Sequence, residues 1–377
     1  DRAVSAAESA AKSTAESEAK SGAKSAAKSG AKSGASFSGA AEALPGLLER
    51  ETALRAILES TWDPQAKLYR YRDAQTHLTP AGQILVEFDG SGHYGRHRRF
   101  PQPRRLAVQA EVAEDHTHTI TVTVQGFNED GEISETISPR SFTWAGGQAH
   151  ATSQNTYNAL RRIEVQGLAD GDHVRVMVAD YTQEDCSLFL PLWAGAPTPE
   201  EARALVEETL PARYLQACGI PVCPPDMRLQ EELPGMHTAL TSALMPWNHL
   251  IGEGLLRYGY QAQAADLVTR LMAAVVAALK NGASFRQYYQ AETGAAGGER
   301  GHLHGLAPLG LFLQTLGVRE LSPKSILLDG FNPYPWTIHV KYRMVELTFF
   351  QTTTEVQFPG GQKFTLDQPG PHRVTLA

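Results

Sequence analysis

The hydrophobic period of this chain changes three times, and that change limits the folds open to it. From about residue 100 to 182 apolar residues alternate with polar ones, as in Leu106-Ala-Val-Gln-Ala-Glu-Val112, Thr119-Ile-Thr-Val-Thr-Val-Gln125 and Val174-Arg-Val-Met-Val178. A period of two places one apolar face on a strand. Turn signals separate the runs at Asn128-Glu-Asp-Gly131, Gly146-Gly147 and Asp170-Gly-Asp172. Short alternating strands at this spacing predict an antiparallel β-sandwich.

On either side the spacing is helical. Leu44, Leu47, Leu48, Leu54, Ile57 and Leu58 share one face before Thr61. Further apolar helices are predicted over about 247–258, 261–281 and 301–316. Thr198-Pro-Glu-Glu201 is a helix start, with an N-cap hydroxyl, Pro at the first helical position and Glu three residues beyond the cap. Strand patterning returns in Pro333-Tyr-Pro-Trp-Thr-Ile-His-Val-Lys-Tyr-Arg343, Thr354-Glu-Val-Gln-Phe-Pro-Gly-Gly361 and Arg373-Val-Thr-Leu376.

Residues 1–40 are low in complexity and rich in Ala, Lys, Ser and Gly. With almost no large apolar side chain they cannot anchor a helix by burial. They read as a solvated tail, or as a tether that folds onto a partner. The 377-residue chain is 42% apolar with a net charge of −7, which gives no basic field for nucleic acid. Three cysteines, Cys186, Cys218 and Cys223, are too few for a disulfide framework; Cys218 and Cys223 are close enough in sequence to pair or to remain thiols. No run reads as long enough to span a membrane.

Five stretches carry a family resemblance. Trp62-Asp-Pro-Gln-Ala-Lys-Leu-Tyr-Arg-Tyr-Arg-Asp73 ends the first helix. Phe189-Leu-Pro-Leu-Trp-Ala-Gly195 precedes the capped helix, and Gly219-Ile-Pro221 supplies a turn. Trp247-Asn-His-Leu-Ile-Gly-Glu-Gly-Leu-Leu-Arg-Tyr-Gly259 is a helix with a Gly pair. Phe285-Arg-Gln-Tyr-Tyr-Gln-Ala-Glu-Thr-Gly294 is an aromatic, polar loop. Together they resemble the (α/α)6-toroid glycoside hydrolases: glucosidase I, trehalase, mannosylglycerate hydrolase and glycogen-debranching relatives. The resemblance covers about 45–95 and 180–317, the second half of a toroid.

It implies a mixed α and β, multidomain fold: a partial (α/α) toroid with an inserted antiparallel β-sandwich and a small C-terminal β appendix. The expected segments are 1–40 tail, 41–99 first helical segment and rim loop, 100–182 sandwich, 183–320 toroid and 321–377 appendix. About six helices stand where a complete toroid has twelve. The open edge is expected to meet another chain or another copy of this one.

The resemblance also implies a carbohydrate ligand, an inverting mechanism and no cofactor. Inversion needs two carboxyl groups on opposite faces of the sugar. The family's base is a Glu in the loop, where this chain has Gln287, a neutral amide. Its acid lies upstream of the Trp-Asp motif and has no counterpart here. Glu292 and Glu253 are the remaining acidic candidates. Trp62, Asp63, Tyr71, Asp73, Trp247, Asn248, Tyr288 and Tyr289 are the candidates for holding the sugar. The family's Arg and Trp grips before its Asn-Tyr-Leu-Ile helix are replaced by His237-Thr-Ala-Leu-Thr-Ser-Ala-Leu-Met-Pro246. His116-Thr-His118 and His302-Leu-His304 have metal-pair spacing but no third ligand, so no metal site is assigned. Arg96-His-Arg-Arg99 with Arg104-Arg105 is a local basic cluster, read as a solvated rim or as a contact for an acidic partner.

Overall fold

The computed structural model describes residues 38–113, 119–145, 147–225, 237–368 and 370–376. Most of the low-complexity segment, the His116-Thr-His118 pair and residues 226–236 lie outside them. The chain divides at Leu54 into two units, Asp1–Leu54 and Arg55–Ala377. The described part of the first is the beginning of helix α1, Ser38–Ser60. Along α1 the side chains of Leu47, Leu48, Leu54 and Ile57 are all more than half exposed.

A small hairpin follows, β1 (Trp62–Asp63) against β2 (Leu68–Tyr69). Eight antiparallel strands come next: β3 (Gln83–Phe88), β4 (Gly92–Tyr94), β5 (Arg98–Glu111), β6 (Thr121–Asn128), β7 (Gly131–Ile137), β8 (Thr143–Ala145), β9 (Gln148–Gln166) and β10 (His173–Val178). They form one hydrogen-bonded sheet in the order β3-β10-β5-β9-β6-β7, with β4 and β8 also against β9. The predicted antiparallel strands are thus joined by hydrogen bonds into a single sheet. β9 is 19 residues long, so its first part pairs with β5 and β8 and its last part with β6 and β4. The β5–β9 register shifts around Phe100-Pro-Gln-Pro103, because proline cannot donate to the ladder. Inward residues from five strands, among them Leu85, Val108, Val124, Ile163 and Val176, share one core, so the sheet folds over on itself while β3 and β7 end its strand order. It also begins at Gln83, not near 100, and takes the end of the expected rim segment.

The helices that follow pack on a second core. After the turn Cys186–Phe189 come α2 (Leu190–Ala194), α3 (Pro199–Arg203) and α4 (Ala204–Tyr214), which continues α3 directly. Thr198 closes the expected capping box: its hydroxyl accepts from the Glu201 N–H at 3.2 Å, and the Glu201 carboxylate accepts from the Thr198 N–H at 2.8 Å. Pro211 lies inside α4, which ends on a wide turn, Leu215 N–H to Leu210 O at 2.9 Å. Next come α5 (His237–Leu240), β11 (Ser242–Ala243), α6 (Met245–Arg257) and α7 (Gln261–Gly282).

The Gly pair of α6 has a packing reason. A Cβ on Gly254 would lie 2.8 Å from the Trp193 backbone nitrogen, so α2 can approach only a glycine. A Cβ on Gly252 would meet Leu311 of α8 (Leu309–Thr315). The expectation of no membrane-length run is corrected by α7, whose 22 residues are long and apolar enough to cross a bilayer by length and composition. In this fold its inward face, with Ala264, Leu267, Leu271 and Val275, belongs to the core.

The aromatic segment predicted as a loop is a strand. β12 (Arg286–Gln290) pairs with β11 on one side and with β13 (Ala296–Arg300) on the other. The third predicted helix is a short turn, Leu303–Gly305, and then the seven residues of α8. The C-terminal β region begins at Val318. It has a three-stranded sheet of β14 (Val318–Leu321), β15 (Ser325–Asp329) and β20 (Pro371–Thr375). A four-stranded meander lies between β15 and β20 in sequence: β16 (Ile338–Tyr342), β17 (Val345–Phe349), β18 (Thr354–Gln357) and β19 (Lys363–Leu366). The molecule is thus mixed α and β, with several antiparallel sheets and few helices. All three cysteines are free thiols, so Cys218 and Cys223 are not paired.

Candidate functional site

The β11–β12–β13 sheet carries the position of greatest interest. Gln287 is half-buried in β12, and its side chain lies so close to Gly298 that a Cβ there would come within 2.6 Å of its Oε1. Tyr288 covers Gly297 in the same way, at 2.3 Å from a would-be Cβ. The glycines of Ala295-Ala-Gly-Gly298 therefore let β13 close over two large side chains. Tyr289 is fully buried, and its hydroxyl donates to Gly305 O at 2.9 Å. Burial pushes this phenol's pKa up. Tyr289 is a core residue that pins the Leu303–Gly305 turn to β12, and it is not available to a sugar. Glu292 is exposed at the tip of the hairpin, where Gly294 N–H donates to Gln290 O at 2.7 Å.

Asn248, on the first turns of α6, is also fully buried. Its Oδ1 accepts from Ile220 N–H at 2.9 Å, and its Nδ2 donates to Ile220 O at 2.8 Å and Leu244 O at 3.0 Å. The side chain clamps the Gly219-Ile-Pro221 turn onto α6, which consumes the hydrogen bonds expected for a ligand. Gly219, at φ +117°, is in a conformation that favours glycine. Trp247, beside Asn248 in sequence, keeps 37% of its surface exposed.

The rim segment divides similarly. Trp62 packs edge-on to Tyr69 at 5.1 Å between ring centres. Asp63 accepts from the N–H groups of Gln65 and Ala66 at 3.0 and 3.1 Å, closing the β1–β2 turn. The Ala66 bond lowers its pKa most, outweighing burial. Arg70 joins Asp63 to Glu184, which also pairs with Arg213 at 2.6 Å. Asp73 is 1% exposed and accepts from Arg105, from Tyr181 Oη at 3.0 Å, and from the N–H groups of Gln75 and Thr76. Burial alone would raise its pKa, but the Arg105 bond and the two N–H groups hold it well below the usual carboxylate range. Asp73 thus ties the rim segment to β5. Tyr71 stays 37% exposed, its hydroxyl 2.8 Å from Asp185 Oδ2 and 2.6 Å from Ser187 Oγ.

Glu253 lies on α6 five residues beyond Asn248 and makes its contacts elsewhere. Its Oε2 accepts from the Trp193 indole N–H at 2.9 Å, and its Oε1 from Gln314 Nε2 at 2.8 Å. His249 Nε2 is 3.4 Å away. Burial raises its pKa, but the Gln314 and Trp193 bonds outweigh that and hold the carboxylate ionised. The structure therefore keeps the acidic candidates apart in their contacts: Glu292 at a hairpin tip, Glu253 between α2 and α8. Of the candidates for holding a sugar, Tyr71 and Trp247 are exposed, Trp62, Asp63 and Tyr288 are half-buried, and Asp73, Asn248 and Tyr289 are buried. Trp193, in the Phe189-Leu-Pro-Leu-Trp-Ala-Gly195 motif, is a candidate that the sequence reading leaves out. The signal was there: a Trp in an otherwise apolar run that ends at a glycine.

No protein-family model matches this sequence, and no curated protein does. Among solved structures the chain is similar over 36% of its length to a mannosylglycerate hydrolase from Thermus thermophilus, with 27% identity, a TM-score of 0.28 and 32% of that chain covered. An uncharacterised conserved protein from the same organism gives 29% identity, a TM-score of 0.29, and coverage of 36% of this chain and 32% of that one. The neutral trehalase of Saccharomyces cerevisiae gives 22% identity and a TM-score of 0.30, over 37% of this chain and 24% of that one. The chain thus spans a third or less of each of these structures. At these TM-scores the likeness is confined to a segment and carries neither a whole fold nor an activity.

Proposed function

We propose that this chain is a glycoside-hydrolase-like protein that faces an α-linked carbohydrate and does not hydrolyse it by itself. The observation that carries the reading is Gln287, a neutral amide at the position where the resembling family places its general base. An amide hydrogen-bonds but does not take a proton at neutral pH. Inverting hydrolysis needs an acid and a base roughly 6.5–9.5 Å apart across one ring. Glu292 and Glu253 do not meet in one site, and the rim acids Asp63 and Asp73 are spent on turns and on Arg105.

The test is hydrolysis of aryl α-glucosides, aryl α-mannosides, trehalose and short α-glucans by the purified chain and by Gln287→Glu. Neither is expected to turn over, since restoring a base supplies no acid. Turnover by the unmodified chain overturns the reading. A second reading, a structural subunit that reuses the fold, is favoured by the exposed leucines of α1, whose apolar surface suits a partner. Assembly with another chain or copy, without carbohydrate binding, would select it.

A further inference from the structure

At the C-terminal end of α6 a pocket of about 470 Å³ opens between α2, α6, α8 and β14. That volume lies within the range of small-molecule sites, about 300–1,000 Å³. We propose that this pocket is a separate carbohydrate site that holds one neutral pyranose ring. It stands apart from the β12 hairpin and does not depend on the reading of Gln287.

One wall is the indole of Trp193, 45% exposed although its N–H is bonded to Glu253. The hydrogen bond fixes the ring while its surface remains open. A pyranose has a face of C–H groups that stacks on such a ring, and a rim of hydroxyls that both donate and accept. The pocket supplies partners of both kinds. Arg257 has five N–H donors and, among the described residues, no hydrogen bond or ion pair. Its side chain runs over Gly195, where a Cβ would lie 2.7 Å from a guanidinium nitrogen, so the glycine makes its place. Among the described residues Arg319 is held only by a 3.8 Å contact with Asp329. On the accepting side, Glu253 has lone pairs beyond its bonds to Trp193 and Gln314. The Gln314 amide is turned with Nε2 toward Glu253, which leaves its own oxygen as an acceptor.

Charge decides between a neutral and an ionic sugar. Among the lining residues Arg257 and Arg319 are cationic and Glu253 is anionic, and Arg319 also contacts Asp329 at 3.8 Å. A neutral diol can use Arg257 as donor and Glu253 as acceptor, whereas a sugar carboxylate would meet the like charge of Glu253.

The experiment is calorimetric and saturation-transfer titration of the full chain with methyl α-glucopyranoside, methyl α-mannopyranoside and D-glucuronate. At least one neutral glycoside is expected to bind, with a Kd on the order of 1 mM, and glucuronate no more tightly. Trp193→Ala and Arg257→Ala are each expected to weaken it about tenfold or more, and Trp336→Ala, an exposed aromatic of the C-terminal β region, to leave it unchanged. Arg257 is exposed, so its variant tests the pocket without burdening the core. Three results overturn the proposal: no binding of either glycoside, binding insensitive to both pocket variants, or glucuronate preferred tenfold. Loss of binding in Tyr288→Ala alone would move the sugar to the β12 hairpin, which ends this proposal and strengthens the other reading.

Discussion

The two ends of α6 use polar side chains in opposite ways. At the N-terminal end Asn248 has no exposed surface, and its amide is spent on Ile220 and Leu244. Tyr289, on the strand beside β11, is spent likewise on Gly305. At the C-terminal end Trp193 and Arg257 are exposed, and the guanidinium has no hydrogen-bond or ion-pair partner among the described residues. The motif that marked the first end is thus, in large part, a set of internal clamps. A polar residue in such a motif is as useful for holding a turn as for holding a ligand. Unspent hydrogen-bonding capacity separates the two uses, and only coordinates reveal it.

The largest effect expected from this difference is that of Asn248→Ala. It leaves the buried N–H and C=O of Ile220 without a partner, at about 1–3 kcal/mol each. A loss of about 3–5 kcal/mol of folding stability is expected, read as a lowered urea midpoint with an unchanged slope. A loss below about 1 kcal/mol would mean that Asn248 is not a clamp, and the contrast between the two ends would collapse.

Asp73 extends the same pattern to the rim segment and adds a pH signature. Its folded pKa lies below its unfolded one, near 3.8. Its contribution is therefore complete above the unfolded value and is lost as pH falls toward the folded one. Asp73→Asn is expected to cost about 2–3 kcal/mol near neutral pH, since Arg105 loses its charge partner in a mostly buried setting. The gap between wild type and variant should shrink as pH falls below about 4. A gap independent of pH from about 2 to 7 would show that the carboxylate charge is not what Arg105 and the two N–H groups stabilise.

How much of this was legible in the sequence follows from what each signal measures. Period-two alternation reports a one-sided face, and it located β6 and β10 closely. It does not report which strands share hydrogen bonds, so the joining of these strands into one hydrogen-bonded sheet was not legible. The strands before residue 100 were missed because Gln83-Ile-Leu-Val-Glu-Phe88 is too apolar to alternate and Gly92-His-Tyr94 is too short. Thr198 was legible because a capping box is local. The Arg286–Gln290 segment reads as a loop, since five residues carry little period. Its strand character comes from β11 and β13, which lie up to 44 residues before it and just after it. The Glu253 pocket was illegible for the same reason: Trp193, Arg257 and Arg319 meet only through the packing of α2, α6 and β14.

The smallest effect belongs to Trp247, and it tests the contrast most directly. It neighbours Asn248 in the motif that suggested a sugar site, and it is 37% exposed, so it is the aromatic at this end of α6 still open to a ligand. An α-helix rises about 1.5 Å per residue, which puts Arg257 about 15 Å further along the axis. One monosaccharide cannot touch both residues. Trp247→Leu keeps an apolar side chain on the helix, so stability should change by no more than about 1 kcal/mol. If the ring sits on Trp193, its calorimetric affinity for the methyl glycosides should also stay the same. If affinity falls in Trp247→Leu and survives in Arg257→Ala, the free surface of Trp247 outweighs the unspent donors at the other end. Hydrogen-bond capacity would then be the wrong criterion for where this molecule meets a sugar.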